Sequence, residues 1–145
     1  MAVLPIVTLG HPVLRTKARP VEKVTKRVQK LIRDMAETMY QAKGVGLAAP
    51  QVNVAERVIV VDVGQGLVAL VNPEIVKAEG AIRDVEGCLS IPGRSGYVTR
   101  AARVVAKGLD AEGRPIKVEA QGYFARAIQH EIDHLDGILF IDRLE

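Results

Sequence analysis

The chain has no tryptophan, only two phenylalanines and three tyrosines, and aromatic residues make up just 3% of it. A core without aromatic bulk has to be assembled from Val, Ile, Leu, Ala and Met, and the frequency of β-branched residues tilts it towards sheet. The same scarcity argues against a platform on which single-stranded nucleic acid stacks its bases. A single cysteine, Cys88, excludes an internal disulfide and suits a reducing compartment. No apolar run approaches the roughly 18–20 residues that span a bilayer. The opening Met1-Ala2-Val3-Leu4-Pro5-Ile6 lacks the basic start and long apolar stretch of a secretory signal. The net charge of +3 comes with no arginine-rich arm, so direct nucleic-acid binding is not expected. These absences together predict a soluble, cytoplasmic protein with no membrane partner, and a monomer is expected.

The 145 residues, 48% of them hydrophobic, fit one domain over 1–145 with a single core. No repeat, low-complexity tract or linker interrupts it. Residues 5–21 hold three prolines and predict an irregular lead-in. From about Val24 to Ala42, the positions Val28, Leu31, Ile32, Met35 and Met39 follow helical spacing, with Thr25 as a cap and Lys43-Gly44 as the stop. Arg57–Val63 reads as a largely buried strand, with Leu67–Val71 as its partner across Gly64-Gln65-Gly66. Two more strands are expected near Val98–Leu109 and Pro115–Ala120, joined by Asp110-Ala111-Glu112-Gly113, before a last helix from about Gly122 to Leu135. Helix, several strands and helix in that order predict an α+β fold.

The last helix carries the chemistry. Gln129-His130-Glu131-Ile132-Asp133-His134 contains His-Glu-x-x-His, and at about 100° per residue the two histidines lie about 40° apart on one face. Two imidazoles so placed reach one cation, with Glu131 beside them to handle an activated water. Phe124, Ile128, Ile132 and Leu135 form the opposite, apolar stripe, which predicts a helix buried on one face and chemically equipped on the other. Ala127, four residues before Glu131, leaves space on the equipped side.

Two histidines leave a third ligand to be found. Zincins of the thermolysin type draw an acidic ligand from well downstream, but only eleven residues follow His134. The metzincin extension H-E-x-x-H-x-x-G-x-x-H is met at Gly137 and fails at Phe140. The ligand must therefore come from upstream. Cys88, in Glu86-Gly87-Cys88-Leu89-Ser90, is the stronger candidate, and three protein ligands with one open position is the arrangement of a catalytic site. A lone cysteine is otherwise a small core residue. His11 is the rival, placed in the proline-rich lead-in where a surface position is expected.

A glycine-rich stretch, Gly44-Val45-Gly46-Leu47-Ala48-Ala49-Pro50-Gln51, follows the first helix. It lacks the third glycine of a dinucleotide fingerprint. Its small residues suit either a close backbone approach to a ligand, with Gln51 as a donor, or a plain helix-to-strand connection.

Together the three stretches resemble the polypeptide (peptide) deformylase family, whose motifs are G-x-G-x-A-A-x-Q, E-G-C-x-S and Q-H-E-x-D-H-x-x-G. Here they stand in order at Gly44–Gln51, Glu86–Ser90 and Gln129–Gly137, with no departure at a defining position. The resemblance runs from Gly10-His11-Pro12-Val13-Leu14-Arg15 to the last residue. It implies mixed and antiparallel strands around a central metal-binding helix, and hydrolysis of the formyl group from N-formylmethionyl nascent peptides with release of formate. It implies one Fe(2+) per chain on Cys88, His130 and His134, with Zn(2+), Ni(2+) or Co(2+) able to substitute, a choice the donor set alone does not make. Glu131 is then the acid/base, and the Gln51 amide and the Leu89 backbone N–H stabilise the developing oxyanion. The substrate is expected to lie along Gly46 and Leu89, with its methionine side chain in a pocket near Val45, Leu89, Tyr123 and Ala127. Glu86 and Arg100 are expected to pair behind the ligands. In some relatives a helix beyond the third motif contacts the ribosome; the chain stops at Leu144-Glu145, so that contact is not expected. Two other functions use the same residue types. A metallopeptidase of another family would need a different third ligand, and a non-catalytic metal or thiol sensor would have no use for a base beside the open position.

Overall fold

The computed structural model describes residues 2–145. The helical spacing of the first third is realised in α1, Lys26–Gln41, whose N-cap Thr25 accepts a hydrogen bond from the Val28 N–H. Val28, Leu31, Ile32, Met35 and Met39 are all buried along one stripe. Each large apolar side chain removed from water contributes about 1.5–3 kcal/mol. The helix closes with the Lys43 N–H on Tyr40 O and the Gly44 N–H on Met39 O. Lys43, not the glycine after it, takes the left-handed conformation, with φ of 59°.

Seven strands follow: β1 Gly46–Ala48, β2 Val58–Val61, β3 Val68–Glu79, β4 Ile82–Cys88, β5 Ile91–Arg100, β6 Arg103–Leu109 and β7 Pro115–Gln121, before α2, Gly122–Leu135. Five form one sheet in the order β1-β2-β3-β6-β7, and β4 and β5 form a separate hairpin. Every pairing between these strands is antiparallel. The lead-in adds an isolated parallel bridge between Arg19 and Glu56.

Strand β2 shows why the sheet has a helix on each face. Val58 and Val60 pack with the α1 stripe and Leu47, whereas Ile59 and Val61 pack with Ala125, Ala127, Ile128 and Leu135 of α2. Side chains alternate across a strand, so four consecutive apolar residues bury two faces. The β4–β5 hairpin rests on a third cluster, in which Ile91 and Val98 meet Leu14, Leu139 and Phe140.

Three expectations need correction. The single strand expected over Val98–Leu109 is divided at Ala101-Ala102 between β5 and β6. Gln129 of α2 fixes that break, accepting from the Ala101 N–H at 3.1 Å and donating to Ala101 O at 2.9 Å. Strand β3 does not stop at Val71. It continues through a bulge at Asn72-Pro73, where Asn72 turns left-handed at φ 53° and its amide bonds Val21 N–H and O, both at 2.8 Å. Finally, α2 is not one-sided. Arg126, Ala127, His130, Glu131 and His134 are as buried as the apolar stripe, because the helix is enclosed between the sheet and the hairpin. Among the described residues, no helix is long and apolar enough to cross a membrane.

Candidate metal centre

The end of β4 brings Cys88 to the side of α2 that carries His130 and His134. One donor atom from each of the three lies within 4.8 Å of the others, and Cys88 Sγ is 3.3 Å from His134 Nε2. His11 lies apart: it is exposed, and its Nδ1 accepts from the Val13 N–H at 3.1 Å, capping the short turn Pro12–Arg15.

The imidazoles are aimed by what surrounds them. Glu86 Oε1 holds His130 Nδ1 at 2.9 Å, which directs Nε2 towards the cluster. Glu86 in turn accepts from Arg100 Nε at 2.6 Å, Arg100 Nη2 at 2.9 Å and Arg126 Nη1 at 2.5 Å. Arg100 reaches on to Asp133 at 2.7 Å, and Arg143 grips the same carboxylate at 2.6 Å. Arg126 also donates to Ile82 O and Val98 O, fastening the hairpin to α2. The expected Glu86–Arg100 pair is therefore the centre of a larger network. Arg126 and Arg143 were not singled out from the sequence, and Asp133 entered only as a position of the Q-H-E-x-D-H motif.

The electrostatics of the centre follow from this crowding. Burial opposes charge on Glu86, but the Arg100 guanidinium and His130 outweigh it and hold the carboxyl well below its usual range. Burial likewise opposes charge on His130, yet Glu131, Cys88 and Glu86 raise it to about 10. His134 is driven the other way, first by burial and then by the charges of His130 and Arg100. Burial raises Glu131 to about 7. Glu131 Oε1 and His134 Nδ1 are buried with no hydrogen-bond partner among the described residues. A thiol and two imidazoles form the donor set of a catalytic divalent site, with an unpartnered carboxylate oxygen beside them, and the residues present fit such an ion.

The glycine-rich stretch closes the centre from β1. A Cβ at Gly46 would lie 2.5 Å from Glu131 Oε2, so only glycine admits the strand this near the carboxylate. Gln51 is buried, with its Oε1 accepting from the Ala48 N–H at 2.9 Å. Its Nε2 donates to Ser90 Oγ at 3.1 Å and lies 3.6 Å from Cys88 Sγ. A cavity of about 400 Å³ opens here. Its lining includes Val45, Gly46, Gln51, Leu89, Tyr123 and Ala127, so every residue expected around the substrate borders one space with Cys88, His130 and Glu131. Tyr123 stands at the rim, 57% exposed.

Known proteins with this sequence pattern share the whole architecture. The family model for polypeptide deformylase matches residues 3–145. A peptide deformylase of Halothermothrix orenii is 58% identical across 99% of this chain and 95% of its own length. The crystal structure of peptide deformylase from Thermotoga maritima superposes with a TM-score of 0.97 at 44% identity, covering 100% of this chain and 99% of that one. One from Ehrlichia chaffeensis, in complex with actinonin, gives 0.98 at 40% identity, covering 100% and 90%. Likeness of this extent in sequence and in backbone leaves one assignment: the chain belongs to the polypeptide deformylase family, metal-dependent hydrolases that remove the N-formyl group from nascent polypeptides.

Proposed function

We propose that this chain deformylates N-formylmethionyl peptides as a cytoplasmic, single-domain monomer, with Glu131 as the acid/base and Fe(2+) held by Cys88, His130 and His134. The observation that carries the assignment of Glu131 is its buried, unpartnered Oε1 beside the three clustered donor atoms. When bound, the ion supplies a Lewis acid that acidifies water and polarises the formyl carbonyl. Zn(2+), Ni(2+) or Co(2+) suit the same thiolate and imidazoles.

The chain's own residues do the rest. The peptide lies extended along Gly46 and Leu89, and its methionine side chain enters the space bordered by Val45, Leu89, Tyr123 and Ala127. Glu131 takes a proton from the attacking water at Oε1 and the new C–O bond forms at the formyl carbon. Charge then gathers on the carbonyl oxygen, where the Gln51 Nε2 hydrogen not given to Ser90 and the Leu89 N–H stabilise it. Glu131 returns the proton to the amine nitrogen as the C–N bond breaks, leaving formate and a free methionyl end. Closure by β1 and the hairpin keeps bulk water from the carboxylate, so the proton stays on the reaction path.

The test is formate release from formyl-Met-Ala-Ser by protein prepared without oxygen and loaded with Fe(2+), against acetyl-Met-Ala-Ser. Release from the formyl peptide alone is expected; equal release of both acids would point to a general deacylase.

A further inference from the structure

Two basic residues at the mouth of the catalytic cavity have no acidic partner among the described residues. Lys43 borders it just past α1, and Arg94 borders it from β5. Both are exposed, and among the described residues neither makes an ion pair or a side-chain hydrogen bond. Exposed Arg27 and Arg83, by contrast, pair with Glu56 and Glu145. Among the described residues, the only carboxylates lining the cavity are Glu86 and Glu131, both buried, and Glu86 is taken up by Arg100, Arg126 and His130. The entrance is therefore positive.

Lys43 adds an independent observation. The hydrogen bonds that close α1, Lys43 N–H to Tyr40 O and Gly44 N–H to Met39 O, define a helix end whose left-handed residue is ordinarily glycine. This chain holds a lysine there, at φ 59°, in a conformation that disfavours a side chain. Strain retained at a cleft mouth points to a use for the side chain.

We propose that Lys43 and Arg94 select formylmethionyl chains carrying an acidic residue in the second to fourth positions, an inference that rests on the deformylase assignment above. The formylated end of such a chain is uncharged, so charge near the mouth comes from the side chains that follow it. With the first residue inside, an extended chain advances roughly 3.3 Å per residue, and the next three cover about 10 Å of entrance. Lys43 and Arg94, both exposed, border that entrance. Neither belongs to the three clustered donor residues, so both meet ground and transition states alike and the preference appears in KM and not in kcat.

The experiment compares formyl-Met-Ala-Asp-Ala-amide, its Gln counterpart and its Lys counterpart, amidated so that no terminal carboxylate intrudes. At low ionic strength the Asp peptide should exceed the Lys peptide by about three- to tenfold in kcat/KM, the scale of exposed charge pairs gained and opposed. In 0.5 M NaCl the ratio should fall towards one. In a Lys43→Glu, Arg94→Glu variant it should invert. Lys43→Gly, which relieves the backbone and removes one charge, should lower the preference without abolishing it. Equal kcat/KM for the Asp and Lys peptides at low salt, with the Gln peptide turned over, overturns the selectivity and leaves the deformylase assignment standing. No formate from any of the three overturns that assignment and the selectivity with it.

Discussion

Replacing Glu86 by alanine removes the acceptor at the centre of the buried network and should destabilise the ion-free chain by about 3–5 kcal/mol, the cost of breaking a buried pair and leaving its partners uncompensated. The structure sets that scale. Four short contacts, from Arg100 Nε and Nη2, Arg126 Nη1 and His130 Nδ1, converge on one carboxylate. Arg100 and Arg126 are only 6% and 4% exposed, so neither recovers water easily. Arg100 keeps Asp133, which places the loss at the lower end of the range. Divalent-ion affinity should fall about 10–100-fold as well, since His130 loses the group that orients it. The effect carries a pH signature. The Glu86 carboxyl is depressed below its ordinary value of 4.5. Its stabilisation is thus fully present above that pH and lost as pH falls through the folded value. Urea unfolding of both proteins, from pH 7 downwards with a chelator present, should show a gap that narrows below pH 4.5. A loss under about 1 kcal/mol at pH 7, or a gap that widens in acid, would refute the reasoning.

Gly46→Ala should leave folding intact and lower turnover about 100-fold, because the new methyl group meets Glu131 Oε2 and a displacement near 1 Å of a reacting group has that consequence; stopped-flow formate release checks it, and unchanged turnover would count against the tight approach of β1. Gln51→Ala should cost about 10²–10³ in kcat through the lost oxyanion donor. It should also loosen the contact between β1 and the hairpin, since Ala48 and Ser90 lose their partner. A change confined to KM would assign Gln51 to binding instead.

Much of the centre was legible from spacing, because a helix converts sequence intervals into faces. His130 and His134 had to share a side once α2 was helical, and elimination of downstream donors led to Cys88. The helices were legible for the same reason: Val28 to Met39 form one stripe, and Ile59 and Val60 had to face opposite layers. The β4–β5 hairpin was not. Strand β4 buries only Glu86 fully, and β5 only Ile91, Val98 and Arg100. Alternation of apolar and polar residues, the usual strand signal, is therefore missing. The break at Ala101-Ala102 carries neither glycine nor proline and is imposed by Gln129, more than two dozen positions away in sequence. Arg126 and Arg143 escaped notice because exposure is the ordinary state of arginine, and only the folded chain shows which carboxylates they meet.

The most direct test of the central claim is Glu131→Gln, with metal content and formate release measured on the same sample. The amide is nearly isosteric and leaves Cys88, His130 and His134 in place, so one ion per chain should remain bound. Formate release from formyl-Met-Ala-Ser should fall by about 10²–10⁴, the contribution of a positioned acid/base. Turnover within a few fold of the unaltered chain, at full metal content, would contradict the role of Glu131.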